Sequence, residues 1–384
     1  MAITARINKE TLKKARLLSE LSRDAAARNV TSDPNRIRDW EDGDTFPSFA
    51  QAKKLARKFR VPFGYLFLEE MPDMTPDIPD LRTVGDRQPD PLSIDFVDTL
   101  NLVLRKQNWF RDNALAQHQP QVPIVGRFDA TDDPLSVAAD IRNEMGLTPN
   151  LRRAKGRGAY LSALVAQAEA VGVLVMRSGI VGNNTRRPLS VGEFRGFALV
   201  DQFAPVVFIN SKDAKAAQIF TLLHELAHIW VGQSGVSNFN PLEEQHDGAL
   251  EQFCNKVAVE ALVPQREFND NWMIGRGLAD NITSLSIRFK VSGIAILRRA
   301  LELDRISRQA FFAELPNQAY DEPPVQGTGG DPYNTLPARN SKKLTQTLLR
   351  SMQEGGTLYR DAASLLGVKV PTAVNLSQRL REGI

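Results

Sequence analysis

The segment Phe220-Thr-Leu-Leu-His-Glu-Leu-Ala-His-Ile-Trp sets two imidazoles, His224 and His228, four residues apart, with Glu225 beside the first. On a helix, residues four apart share a face. Both imidazoles can then bind one metal, and Glu225 stands at the position of its water. Zinc held by three protein ligands keeps a fourth position for water and lowers that water's pKa toward about 7. Glu225 can accept the water's proton as it attacks an amide carbonyl, then donate it to the leaving nitrogen.

A third ligand must come from elsewhere. A pattern with Gly three and His six residues beyond the second histidine fails, because Val231 and Ser234 stand there. The preferred candidate is Glu251 in Glu251-Gln-Phe-Cys254-Asn255, near the start of a second helix reached after a short loop. Asn255, one turn on, can orient a ligand. His246 and Glu260 are the alternatives. His246 lies among Glu243, Glu244 and Asp247, which suits a solvated loop, and Glu260 is farther along, next to Leu262 and Val263. No oxyanion-stabilising residue is identified; Tyr160 and His246 are the candidates considered.

The elements that position these groups follow from periodicity. Ile219, Phe220, Leu222, Leu223, Leu226, Ile229 and Trp230 surround the motif almost completely, and a helix that is apolar all round is buried. Buried imidazoles and a buried carboxylate need partners, which a metal supplies. The pattern predicts this helix from about Ala214 to Val231, capped by Asn210 or Ser211. A second helix runs from about Leu250 to Leu262, stopped by Pro264. Strands are expected around 172–177, 194–201 and 205–210, the last two split by a turn at Gln202. Phe194-Arg195-Gly196 is read as an edge strand able to accept an extended peptide.

The whole chain has 384 residues, enough for two to three domains, with 42% hydrophobic and 24% charged residues. This excludes a mainly disordered or fibrous chain. No apolar run reaches the roughly 18 residues of a membrane helix. The first residues lack a secretory pattern. The lone Cys254 excludes an intrachain disulfide and fits a reducing cytosol. A cytoplasmic protein with no membrane partner is expected. Net charge is +3, too balanced for nucleic-acid binding by the whole chain. Residues 1–70 carry fourteen basic against ten acidic side chains, a mild local excess. No Gly-rich phosphate loop is present.

Four blocks occur in order: Phe194-Arg-Gly-Phe-Ala-Leu-Val-Asp, Phe208-Ile-Asn-Ser, Phe220-Thr-Leu-Leu-His-Glu-Leu-Ala-His, and Glu251 through Pro264. Over roughly residues 130–310 the chain resembles the ImmA/IrrE metallopeptidases, with Cys254 and Val257 departing from the usual Ala before the Asn and Phe-Ala after it. The resemblance implies a minimal zincin with a small sheet, zinc on His224, His228 and Glu251, and Glu225 as catalytic base. It also implies that the substrate is a DNA-binding repressor.

The first seventy residues resemble a Cro/C1-type (XRE) helix-turn-helix through Ala15-Arg16, Leu21-Ser22, Ala25-Ala26, Ile37, Trp40-Glu41-x-Gly43, Pro47-Ser48 and Leu55-Ala56. That implies a recognition helix around Asn35-Arg36-Ile37-Arg38, with Asn35, Arg36 and Arg38 as DNA contacts. Asp33 and Asp39 oppose phosphate there, so protein docking is the competing use. Phe289 to Arg299 resembles a second helix-turn-helix and Ala362 to Val368 is similar again; both are read as structural.

The expected fold class is α+β and mostly helical. Residues 1–70 form the all-α helix-turn-helix domain and 71–129 a linker and helical connector. The peptidase domain occupies 130–275, a helix-turn-helix-like segment 276–315, a second linker 316–340, and C-terminal helices 341–384. The expected function is a zinc-dependent endopeptidase cleaving a specific protein, an XRE-type repressor or antitoxin-like regulator. The alternative is a DNA- and partner-binding regulator or antitoxin of a toxin–antitoxin operon with an idle zinc site. A homodimer through the first domain is compatible with the resemblance.

Overall fold

A computed structural model of the chain describes residues 4–19, 21–72, 92–237, 248–318 and 332–381. It divides into two compact units, the first of residues 1–77 and 90–101 and the second of the remainder.

The first unit is helical: α1 (Lys9–Leu18), α2 (Arg23–Ala27), α3 (Asn35–Asp42) and α4 (Phe49–Phe59). Local chemistry sets each start. The Asn8 side chain accepts from Glu10 and Thr11 N–H, Ser22 from Ala25, and Ser48 forms a reciprocal capping box with Gln51. Gly43 ends α3 in the left-handed region at φ 87°, which glycine reaches without steric cost. Leu12, Ala15, Ile37, Trp40, Leu55 and Phe59 share one core. The buried Glu41 carboxylate joins Arg16 at 2.5 Å and Arg23 at 2.8 Å. Residues Phe63–Phe67 close this unit with a short 3-10 turn. The connector expected from residue 71 is divided, because α5 (Ile94–Ala116) places Ile94 in this first core while its later turns belong to the second unit.

In the second unit, α6 (Pro134–Glu144) and α7 (Gly156–Ala170) precede the sheet. The strands are β1 (Leu174–Ser178), β2 (Gly196–Leu199), β3 (Val206–Asn210) and β4 (Gly235–Ser237), in the order β1-β3-β2-β4. β1 runs parallel to β3, and β2 is antiparallel to both β3 and β4. β2 is therefore interior, not the expected edge: Gly196 pairs with Ile209 on one side and Ser237 on the other. The three-residue β4 is too short for alternation to reveal.

Between β3 and β4 runs α8 (Lys215–Trp230), buried at almost every position. Neither Asn210 nor Ser211 caps it. The Asn210 amide instead donates to the Ser190 and Phe194 carbonyls, and the Gln218 amide donates to those of Ser211 and Asp213. At the other end Gly126 and Phe128 N–H groups donate to the Ile229 and Trp230 carbonyls, and the Trp230 indole donates to Asp140 at 2.8 Å. α9 (Ala249–Leu262) follows after residues 231–248, which include β4, rather than after a short loop. α8 packs on α9, and α6 packs on both.

Three helices follow: α10 (Gln265–Asn271), α11 (Leu278–Phe289) and α12 (Gly293–Glu302), then α13 (Arg308–Gln318). Ile282, Phe289, Leu297 and Phe311 join one core with residues of α6 to α9, so the expected boundary at 275 cuts through a shared interior. The C-terminal helices are α14 (Pro332–Asn340), α15 (Lys342–Gln353), α16 (Tyr359–Leu366) and α17 (Val370–Arg381). α14 lies inside the expected 316–340 linker, and α13 extends into it. Packing of α14 on β1, with Leu336 buried, overrides the prolines at 332 and 337. Residues 319–331 lie outside those described.

Candidate metal centre

His224 and His228 both point from one face of α8, with their Nε2 atoms 3.2 Å apart. Glu251, in the first turn of α9, reaches the same point: its carboxylate lies 3.1 Å from His224 Nε2 and 3.0 Å from His228 Nε2. All three side chains are buried. Ligand atoms held about 2.1 Å from a tetrahedral ion stand about 3.4 Å from one another. The donor set therefore fits a small divalent ion in both spacing and chemistry, two imidazoles and one carboxylate.

The charges agree. Burial works against a charged His224, yet the adjoining Glu251 carboxylate outweighs it and raises the imidazole to about 9. Burial likewise disfavours the Glu251 anion, but the His224 charge and hydrogen bonds from both imidazoles bring it down to about 2. Burial keeps His228 below the ordinary imidazole value. Asn255, one turn beyond Glu251, is buried and adds to the raising of the His224 imidazole, a place from which a side chain can orient a ligand's ring.

Glu225 is fully buried and lies against β2. A Cβ built on Gly196 would stand 2.9 Å from Glu225 Oε1 and 2.5 Å from the Thr221 methyl. The absence of a side chain at Gly196 is what allows the strand to approach the catalytic candidate so closely. Sequence reasoning missed this role, although Gly196 sits inside the first resemblance block. Cys254 lies near Glu251 and Glu225; burial, then those two carboxylates, push its thiol well above the usual range. It stays a thiol, outside the ligand group.

The other candidates go elsewhere. Glu260 pairs with Arg299 and accepts from the Gln265 N–H. Tyr160 stands with Arg152, Arg142 and Glu267, whose ion pairs join α6 and the 151–153 turn to α10. His246 lies outside the described residues. On α3, the side chains of Asn35, Arg36 and Arg38 are exposed, with Arg38 3.5 Å from Asp42; the Asp33 carboxylate accepts from Asn35 N–H.

Comparison with known families divides the chain in the same order. Residues 12–66 match the helix-turn-helix model, residues 168–301 the Peptidase M78 model, described as an IrrE N-terminal-like domain, and residues 340–379 a domain of unknown function, DUF8813. His224, Glu225, His228 and Glu251 all lie within the peptidase match. No match was found among curated proteins. No described helix is long and apolar enough to cross a membrane.

Proposed function

From the premise of a helix-turn-helix followed by an ImmA/IrrE-like peptidase domain, we propose that the protein is a regulatory zinc metalloendopeptidase that cleaves a specific protein, an XRE-type repressor or similar regulator. The observation that carries this reading is a complete donor triad, His224, His228 and Glu251, with a second acidic side chain, Glu225, on the same buried helix as the two histidines. A purely structural zinc site closes its coordination with four protein ligands. Among the described residues three donors converge, and Glu225 has the chemistry of a base.

His224, His228 and Glu251 would hold the metal. When bound, zinc polarises the scissile carbonyl and acidifies water. Glu225 accepts the proton of the attacking water. As the new carbon–oxygen bond forms and the carbon–nitrogen bond breaks, Glu225 returns that proton to the leaving amine. Asn255 orients His224, and the bare Gly196 backbone keeps room for the Glu225 carboxylate. The exposed Asn35, Arg36 and Arg38 of α3 provide DNA or substrate recognition by the first unit.

The test is N-terminal peptide mapping of host proteomes expressing the wild type or Glu225→Gln. New termini confined to the wild type support the reading and name the substrate. Identical maps, with zinc stoichiometrically bound in both proteins, overturn it.

A further inference from the structure

Two helix pairs in the second unit are joined in the manner of a helix-turn-helix, a short turn through one left-handed residue. Lys290 (φ 61°) links α11 to α12, and Gly367 (φ 70°) links α16 to α17. They differ in what the second helix shows to solvent. From Gly293 to Leu301 every position of α12 is buried or half-buried and just the last residue, Glu302, is exposed; Arg299 is tied to the Val263 carbonyl and to Glu260 and Glu302. α12 is a core helix with no free face.

α17 is the reverse. Pro371, Asn375, Gln378 and Arg379 are exposed along one side, while Ala373 and Leu376 are buried on the other. Lys369 is exposed immediately before the helix. α17 carries no acidic residue, unlike α3 with its Asp39 and Asp42. Residues 341–381 hold seven Lys and Arg against two Asp and Glu, a net of +5 in a chain whose total is +3. The turn is also steadied from the sheet side. The Asn183 amide donates to the Gly367 carbonyl, and Arg186, three residues farther along the same loop, is exposed.

This chemistry fits duplex DNA. Asn and Gln amides match the donor–acceptor pair on adenine's major-groove edge, and Lys and Arg meet phosphates. We propose that residues 342–381 are a second DNA-reading head, independent of the N-terminal one. In it α17 enters the major groove, with Asn375 and Gln378 at base edges and Lys369 and Arg379 against phosphates. The head is fixed to the peptidase unit, because Glu169 of α7 accepts from the Ser341 hydroxyl at 2.5 Å and from the Lys342 N–H at 2.9 Å.

The full chain carrying Arg36→Ala and Arg38→Ala, which disable the N-terminal head, is titrated with a fluorescent random-sequence duplex at low salt. Salt-sensitive binding is expected to persist. Adding Lys369→Ala and Arg379→Ala should weaken it by about tenfold or more and lower the log–log salt slope by about 2, with the melting temperature unchanged. A second measurement uses Asn375→Cys. The chain's one cysteine is buried, so a benzophenone label goes to position 375. It should photocrosslink to the duplex, whereas a label at exposed Gln346→Cys on α15 should not. Loss of all duplex binding with the N-terminal changes alone overturns the proposal. So does binding indifferent to the α17 changes with no crosslink from position 375, which would leave this face to a protein partner.

Discussion

Gly196 on β2 and Glu225 on α8 are in direct apposition, and the contact leaves no room for a methyl group. The nearest neighbours of a Cβ there would be the Thr221 methyl at 2.5 Å, Glu225 Oε1 at 2.9 Å and the Phe208 carbonyl oxygen at 2.9 Å. The last of these is backbone and cannot swing aside. Gly196→Ala is therefore expected to cost about 1–3 kcal/mol of stability. It should also reduce cleavage of the mapped substrate while leaving zinc content intact. Denaturant unfolding, metal analysis and cleavage assays on one purified protein check all three; full activity would disprove the positioning role.

Removing the α9 ligand separates binding from chemistry. Glu251→Ala should abolish stoichiometric zinc, since two imidazoles remain. Glu225→Gln should keep the metal. Asn255→Ala should lower zinc affinity about 10–100-fold by freeing the His224 ring. Competition with a chromophoric chelator ranks the four proteins, and equal affinity for Glu251→Ala and wild type would remove Glu251 from the site.

Zinc should also stabilise the fold. A ligand at 100 times its dissociation constant adds about 2.7 kcal/mol to a protein that binds it only when folded. Thermal melts of stripped protein with and without zinc should show the increase, and Glu251→Ala should show none.

Lys106 on α5 gives a pH dependence. Burial, then the nearby Arg339 and Arg105, lower its ammonium to about 8. Because the unfolded lysine titrates near 10.4, the folded state is penalised for binding this proton. The penalty is complete below pH 8 and disappears as pH rises toward 10.4. Lys106→Met should therefore stabilise the protein at pH 7, by up to roughly 3 kcal/mol, and by much less at pH 10. Urea unfolding at both pH values measures the difference; an equal gain at each would assign it to packing alone.

In the first unit, Glu41 is the shared partner of two guanidiniums. Glu41→Ala leaves Arg16 buried without its carboxylate and should destabilise this unit by about 3–5 kcal/mol. Hydrogen exchange confined to residues 4–72 reads it out, and unchanged protection would show the pair to be dispensable.

The sequence made some of this arrangement legible and concealed the rest for physical reasons. The two histidines of α8 and their glutamate follow from helical repeat alone, because spacing four on a buried helix fixes a common face. Glu251 needed an assumption that a second helix returns to the first, which no local pattern encodes. β4 was invisible because three residues cannot display an alternation. Its pairing makes β2 interior, so the edge assigned to Phe194-Arg195-Gly196 was misplaced. α14 was hidden by its prolines, whose cost is overcome by contact with β1. Glu41 was seen as part of a motif, while its work, neutralising two arginines, exists only after α1, α2 and α3 assemble.

Cys254 has a further consequence, in redox terms. The metal donors are nitrogen and oxygen, and the chain's one sulfur atom in a cysteine is sealed beside them as a neutral thiol. Oxidants act on thiolates. A centre built from these donors would therefore keep a bound metal through a peroxide pulse that strips zinc from thiolate-coordinated sites.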